Sequence, residues 1–116
     1  MKFLIVIPTL NENKNITIIY KKIINIYPKA KILFIDDNST DGSKDEILNI
    51  TKKNKNINFI FRSCKLGIGS AHKLGISYAK KKGYDFICTM DCDGTHNPRT
   101  IKKIFKYVKK HDLVIT

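Results

Sequence analysis

Asp91 and Asp93 stand one residue apart, directly after the apolar run Phe86-Ile87-Cys88-Thr89-Met90, and Gly94, Asn97 and Pro98 turn the chain immediately behind them. A short apolar run bounded by turn residues reads as a buried strand, which puts both carboxylates at a strand's C-terminal end. In an open α/β sheet ligands bind at that edge. Hard oxygen donors placed there suit Mg²⁺ or Mn²⁺ carrying a diphosphate.

Two further clusters have the same character. Pro8-Thr9-Leu10-Asn11-Glu12 follows the apolar Phe3 to Ile7, and Asp36-Asp37-Asn38-Ser39-Thr40-Asp41-Gly42 follows Ile32 to Ile35. Any one of them would serve simply as a turn. In a parallel sheet all three fall on one edge, where together they offer what a nucleoside-diphosphate sugar requires. A carboxylate accepts from the base's ring N–H, hydroxyls and backbone groups hold the ribose, and a metal neutralises the diphosphate. Lys65-Leu66-Gly67-Ile68-Gly69-Ser70-Ala71 adds glycines for close backbone approach and a helix N-terminus that favours anions. It is neither a Walker loop nor a dinucleotide fingerprint, because no Gly-Lys-Ser/Thr follows and it does not sit behind the first strand.

The elements that must carry these clusters alternate. Strand-like Phe3 to Ile7, Ile32 to Ile35, Asn58 to Arg62, Phe86 to Met90 and Leu113 to Ile115 are separated by helix-like Asn15 to Tyr27, Ser43 to Lys52, Ser70 to Lys82 and Arg99 to Lys110. Ile16, Ile19, Tyr20, Ile23, Ile24 and Tyr27 recur at spacings of three and four. Pro28 closes that helix, and Asn13 or Asn15 is available as its N-cap. Such alternation specifies an α/β fold with a mainly parallel sheet covered on both faces.

Composition bounds the rest. A chain of 116 residues is expected to form one domain, residues 1–116, with a core of its own. Its formal charge of +12 comes almost entirely from lysine, with arginine only at Arg62 and Arg99. Arginine is the bidentate reader of phosphates and bases, so nucleic acid is not the expected partner. Arg62 and Lys65 are placed to contact phosphate but are read first as solvated charges at a strand end, and His72 and His96 as surface residues. Cys64, Cys88 and Cys92 form no C-x-x-C pair and predict neither a disulfide framework nor a zinc site. That usage fits a cytoplasmic location. No apolar stretch approaches the roughly 18 residues a membrane span needs, and the first strand carries no cleavage site for a signal peptide.

Four segments, in order and spacing, resemble the N-terminal half of family 2 glycosyltransferases: Val6 to Glu12, Phe34 to Gly42, Lys65 to Ala71 and Met90 to Asp93. The branch they resemble is that of the polyprenol (dolichol) phosphate mannosyltransferases. The resemblance implies a Rossmann-like GT-A fold that binds a GDP- or UDP-sugar and transfers the sugar with inversion to a polyprenol phosphate or glycan hydroxyl. Carried over by position, Pro8, Thr9, Glu12 and Gly67 would line the nucleotide-sugar pocket and Asp37 would meet the base. Asp91 and Asp93 match the DxD pair, with Asp93 on the metal, Asp91 near ribose or metal, and Thr95 as a further metal contact. Cys92 and Gly94 replace the usual Ala and Leu beside the second acid. The chain is expected to be a truncated donor-binding half, with peripheral membrane contact, an open oligomeric state and no acceptor-side base of its own.

Two other readings compete. Asp91-Cys92-Asp93-Gly94-Thr95 also fits the DxDxT nucleophile motif of haloacid-dehalogenase-like phosphatases, which leaves the Glu12 and Asp37 clusters unexplained. The other reading keeps the fold and makes the chain a non-catalytic nucleotide-sugar-binding remnant.

Overall fold

The first strand, β1 (Phe3–Thr9), is the central axis of a five-stranded parallel sheet in a computed structural model that describes residues 2–92 and 113–115. The chain continues through α1 (Ile16–Ile26), β2 (Lys31–Asp36), α2 (Ser43–Lys53), β3 (Ile57–Phe61), α3 (Ile68–Lys81), β4 (Phe86–Thr89) and β5 (Leu113–Ile115). The spatial order is β3-β2-β1-β4-β5. It therefore runs outward from β1 to β3, then crosses back to start again on the other side of β1. The expected helix Arg99 to Lys110 lies outside the described residues.

Period-two alternation sorts the core into two layers. Phe3, Ile5 and Ile7 of β1, with Ile32 and Phe34 of β2, face Ile16, Ile19 and Ile23 of α1 and Ile47 and Ile50 of α2. Leu4, Val6, Leu33 and Ile35 face Ala71 and Ala79 of α3 on the opposite side. Cys88 and Cys92 are buried as small apolar residues in the first layer, while Cys64 is exposed. Among the described residues no helix is long and apolar enough to cross a membrane.

One local expectation is met in position and another is corrected. Asn15 occupies the N-cap position of α1 but makes no side-chain cap bond; its amide donates instead to Glu12 Oε2 at 2.8 Å. Strand β1 also runs two residues further than its apolar stretch, through Pro8 and Thr9. Pro8 interrupts only one side of a parallel ladder: it still registers with Ile35 of β2, and Thr9 with Asp36.

That proline also opens the sheet. Met90 N–H donates to the Val6 carbonyl at 3.0 Å, the last rung between β1 and β4. In a parallel ladder alternate residues address each neighbour, so the next N–H owed to β4 is that of Pro8, which has none. The two strands part there. This is the point where the strand order reverses, the usual place for a ligand crevice in such sheets.

Candidate functional site

Four loops meet over the parted strand ends and enclose a cavity of about 510 Å³. Pro8, Thr9, Leu10 and Glu12 line it from β1, and Asp37 from β2. Lys65, Gly67 and Ile68 contribute from the β3–α3 turn, Asp91 and Cys92 from the end of β4. Of the residues expected at a nucleotide-sugar site, Pro8, Thr9, Glu12, Asp37, Gly67 and Asp91 thus border one space. Asp93, Thr95 and His96 lie outside the described residues.

The first two loops are stitched together by their own turn residues. Asn11 N–H donates to Ser39 Oγ at 2.8 Å, and Thr40 N–H returns a bond to Asn11 Oδ1 at 2.9 Å. Glu12 N–H donates to Ser43 Oγ at 2.9 Å, and Asn13 N–H to Asp41 Oδ2 at 3.1 Å. Asn11 and Asn38 adopt left-handed backbones, with φ of 53° and 62°, which asparagine tolerates better than other non-glycine residues. These bonds hold the Glu12 side of the cavity against the end of β2. Thr9 lines the cavity, but its hydroxyl is committed to Asp36 Oδ1 at 2.7 Å.

Asp37 is held more completely than a turn residue or a waiting base acceptor would be. Arg62 Nε donates to its Oδ1 at 2.5 Å, and the backbone N–H groups of Leu66 and Gly67 both donate to Oδ2 at 3.1 Å. Burial alone would raise this carboxyl. The bond from Arg62, the two backbone bonds and the guanidinium's charge outweigh it and hold Asp37 below the usual aspartate range. A carboxylate presents about four acceptor positions, so three are filled and about one is left for a ligand N–H.

Arg62 corrects the reading of a solvated charge. It is only 9% exposed, and besides Asp37 it donates from Nη1 to Ser70 Oγ at 2.7 Å and from Nη2 to the Gly67 carbonyl at 3.0 Å. The sequence signal was present: one of two arginines among 22 basic residues, where lysine is otherwise used throughout. Lys65, by contrast, is exposed and borders the cavity. His72 is half-buried on α3 and does not border the cavity.

At the other wall α3 begins at Ile68, so the unbonded N–H groups and positive end of its dipole face the same space as Lys65. Asp91 approaches from β4. For a divalent cation, Asp91 is a suitable hard donor on the cavity wall, and Mg²⁺ needs only one or two carboxylates when a diphosphate supplies the remaining oxygens. Among the described residues no group of three His, Cys, Asp or Glu gathers as a self-sufficient protein cage would. Asp91 on the cavity wall fits a cation whose remaining oxygens a bound ligand supplies. The arrangement pairs an anion-attracting wall with an acidic one, as a charged diphosphate and its counter-ion would require.

Comparison with known proteins agrees with this geometry. The chain is 30% identical over 115 residues to the undecaprenyl-phosphate mannosyltransferase of Micrococcus luteus; the match takes in 99% of this chain and 47% of that one. This chain thus spans less than half of that relative's length. Among solved structures, Staphylococcus aureus TarS 1–349 in complex with UDP-GlcNAc superposes with a TM-score of 0.73 at 23% identity, over 91% of this chain and 30% of that one. The mannosyltransferase PcManGT of Pyrobaculum calidifontis, in complex with GDP-Man and Mn²⁺, gives 0.61 at 18% identity, over 67% and 24%. The fold is accordingly that of GT-A glycosyltransferases. Nothing here supports the dehalogenase-like reading of Asp91 to Thr95. The model of the family described as "Glycosyl transferase family 2" matches residues 4–116, nearly the whole sequence, and this chain belongs to that family.

Proposed function

We propose that this domain holds the donor of a sugar transfer, a nucleoside-diphosphate sugar, with its base and ribose between Glu12 and Asp37 and its diphosphate between Asp91 and the start of α3. The observation that carries the reading is the cavity itself. One space of about 510 Å³ is bordered by the ends of β1, β2 and β4 and by a helix N-terminus, and the ionised Asp37 sits at one end. The GDP-Man and UDP-GlcNAc in the two solved relatives favour a donor of this class.

Asp91, with Asp93 and Thr95 beyond it in sequence, would hold Mg²⁺ or Mn²⁺, which when bound neutralises charge on the diphosphate. The chain's own part is to orient the donor. The wall of Lys65, Gly67 and Ile68 fixes the diphosphate, the β1 loop fixes the nucleoside, and the anomeric carbon is left open to attack from the face opposite the diphosphate, with inversion. A polyprenyl phosphate is the acceptor favoured by the name of the Micrococcus luteus relative, with the protein acting peripherally at the cytoplasmic membrane face. Such an acceptor is already an anion and needs no general base.

Calorimetric titration of GDP and of UDP, each with and without Mn²⁺, into wild type, Asp91→Ala and Asp93→Ala tests the reading. The expected result is metal-dependent binding of one nucleotide by wild type and its loss in both variants. Equal metal-dependent affinity in all three proteins would remove the two aspartates from the site. Absence of binding to wild type would end the donor reading.

A further inference from the structure

We propose that Arg62 is a positioning residue: with Asp37 it grips Gly67 by both its amide and its carbonyl, and so fixes the cavity wall made by Lys65, Gly67 and Ile68. The grip is a property of the loop itself. Its consequence for nucleotide affinity rests on the donor reading given above.

Gly67 has φ 89° and ψ 163°, a backbone region essentially reserved for glycine, and no atom outside its chain neighbours comes within 4 Å of where a Cβ would stand. Side-chain packing therefore does not hold it. Its hydrogen bonds do. The Gly67 N–H, together with that of Leu66, donates to Asp37 Oδ2, and its carbonyl accepts from Arg62 Nη2 and from Ala71 N–H at 3.1 Å. The bond from Ala71 is the first of α3, so the same carbonyl joins the guanidinium to the start of the helix. A third nitrogen, Nη1, takes Ser70 Oγ in that first turn.

One guanidinium therefore ties three segments: the end of β2 through Asp37, the glycine turn through Gly67, and α3 through Ser70. A rigid fork of donors can do this, whereas the single ammonium of lysine cannot reach all three at once. The flanking Ser63, Cys64, Lys65 and Leu66 are exposed, and Leu66 and Ile68 are 53% and 60% exposed, so burial gives the turn little support. The grip also apportions donors. Asp37 consumes the amides of Leu66 and Gly67, and those that follow in the first turn of α3 are left to the cavity side.

The test compares wild type with Arg62→Met, Arg62→Lys and Ser70→Ala, reading amide hydrogen exchange at Leu66 and Gly67 without ligand and affinity for GDP and UDP with Mn²⁺. Wild type is expected to protect both amides well above Ser63 and Cys64. Arg62→Met should lose at least about tenfold of that protection and of nucleotide affinity, as loss of charged hydrogen bonds implies. Arg62→Lys should restore part of the protection, and Ser70→Ala should lose a smaller part. The proposal falls if Gly67 exchanges as fast as Cys64 in wild type, or if folded Arg62→Met keeps its protection. It falls equally if protection is lost while nucleotide affinity stays unchanged. Should Arg62→Met fail to fold, Arg62→Lys and Ser70→Ala, which keep the buried positive charge, decide the same question. A wild type that protects Gly67 yet binds neither nucleotide upholds the grip and overturns the donor reading instead.

Discussion

Asp36 and Asp37 are adjacent, both buried, and bonded in opposite directions. Asp36 accepts from the Thr9 hydroxyl and from both the N–H and the hydroxyl of Ser39. Asp37 accepts from Arg62, Leu66 and Gly67. Asp36 is the last residue of β2 and Asp37 the first beyond it, so the division falls where the strand hands over to its loop. Asp36 thereby ties β2 to β1 and its own turn, while Asp37 ties β2 to the turn that starts α3. Of the two, Asp37 borders the cavity, while Asp36 is fully buried and joins the ends of β1 and β2 through Thr9.

The two should respond unequally to loss of charge. Asp37→Asn leaves the Arg62 guanidinium buried without its counter-charge, and breaking such a pair from one side costs about 3–5 kcal/mol. Asp36→Asn keeps an acceptor and misplaces one donor, which costs about 1–3 kcal/mol. Urea unfolding of both variants checks the order. An Asp37→Asn protein as stable as wild type would contradict the buried ion pair.

Titration should separate two kinds of carboxylate. Burial works to raise Asp37 and Asp41, but their hydrogen bonds win and hold both below the ordinary aspartate value of 3.8. Their stabilisation is therefore fully present above that value and is lost only as pH falls through the lower folded values. Glu46 runs the other way: burial and then the charge of Asp41 raise it above 4.5 against the opposing bonds from Thr17, and its buried Oε2 has no hydrogen-bond partner. Its ionised form costs stability at neutral pH, and the cost disappears as pH falls through the raised value toward 4.5. Glu46→Gln should accordingly be more stable than wild type at pH 7 and equal to it near pH 4. Urea midpoints at the two pH values test this, and a loss of stability at pH 7 would refute it.

Much of this was legible from local pattern. The isoleucine-rich runs and the three-and-four spacing of Ile16, Ile19 and Ile23 specify strands and α1 because burial periodicity is local. The clusters at Pro8, Asp36 and Asp91 reach one edge because parallel order requires it. Arg62 was not legible in this way. A basic residue at a strand end looks solvated, and its three partners come from a loop 25 residues upstream and from the following turn and helix. Asp37 was hidden for the same reason, since a sequence names a carboxylate without naming its donors. Pro8 misled because a proline reads as a strand terminator, whereas here it ends pairing with β4 and leaves pairing with β2 intact.

Gly67→Ala isolates backbone strain from packing. Open space around the position means the new methyl meets nothing, so the whole effect comes from forcing φ 89° and ψ 163° on a residue with a Cβ. That costs about 1–3 kcal/mol, which the chain can relieve by turning the Leu66–Gly67 amides away from Asp37. The expected outcome is modest destabilisation in urea together with faster amide exchange at residue 66. Unchanged exchange at Leu66 would mean that the turn does not depend on glycine.

Gly75→Ala probes how closely α3 lies on β1. A Cβ at Gly75 would stand 3.0 Å from both methyls of Val6, nearer than such atoms normally approach. In an exposed helix this substitution would gain up to about 1 kcal/mol from propensity. Here Val6 cannot yield, because it is fully buried in a strand hydrogen-bonded to β2 on one side and β4 on the other. Overpacking of about 1–3 kcal/mol should prevail and leave a net loss. Since Gly67 and Ile68 begin the same helix, lifting α3 would also shift the cavity wall away from Pro8. Val6→Ala alone should lose stability by leaving a void, and combining the two substitutions should recover part of both losses, because the new methyl fills the space the old ones vacate. A double-mutant cycle in urea reads that coupling directly. Simple additivity would show that the helix rests on β1 through other contacts.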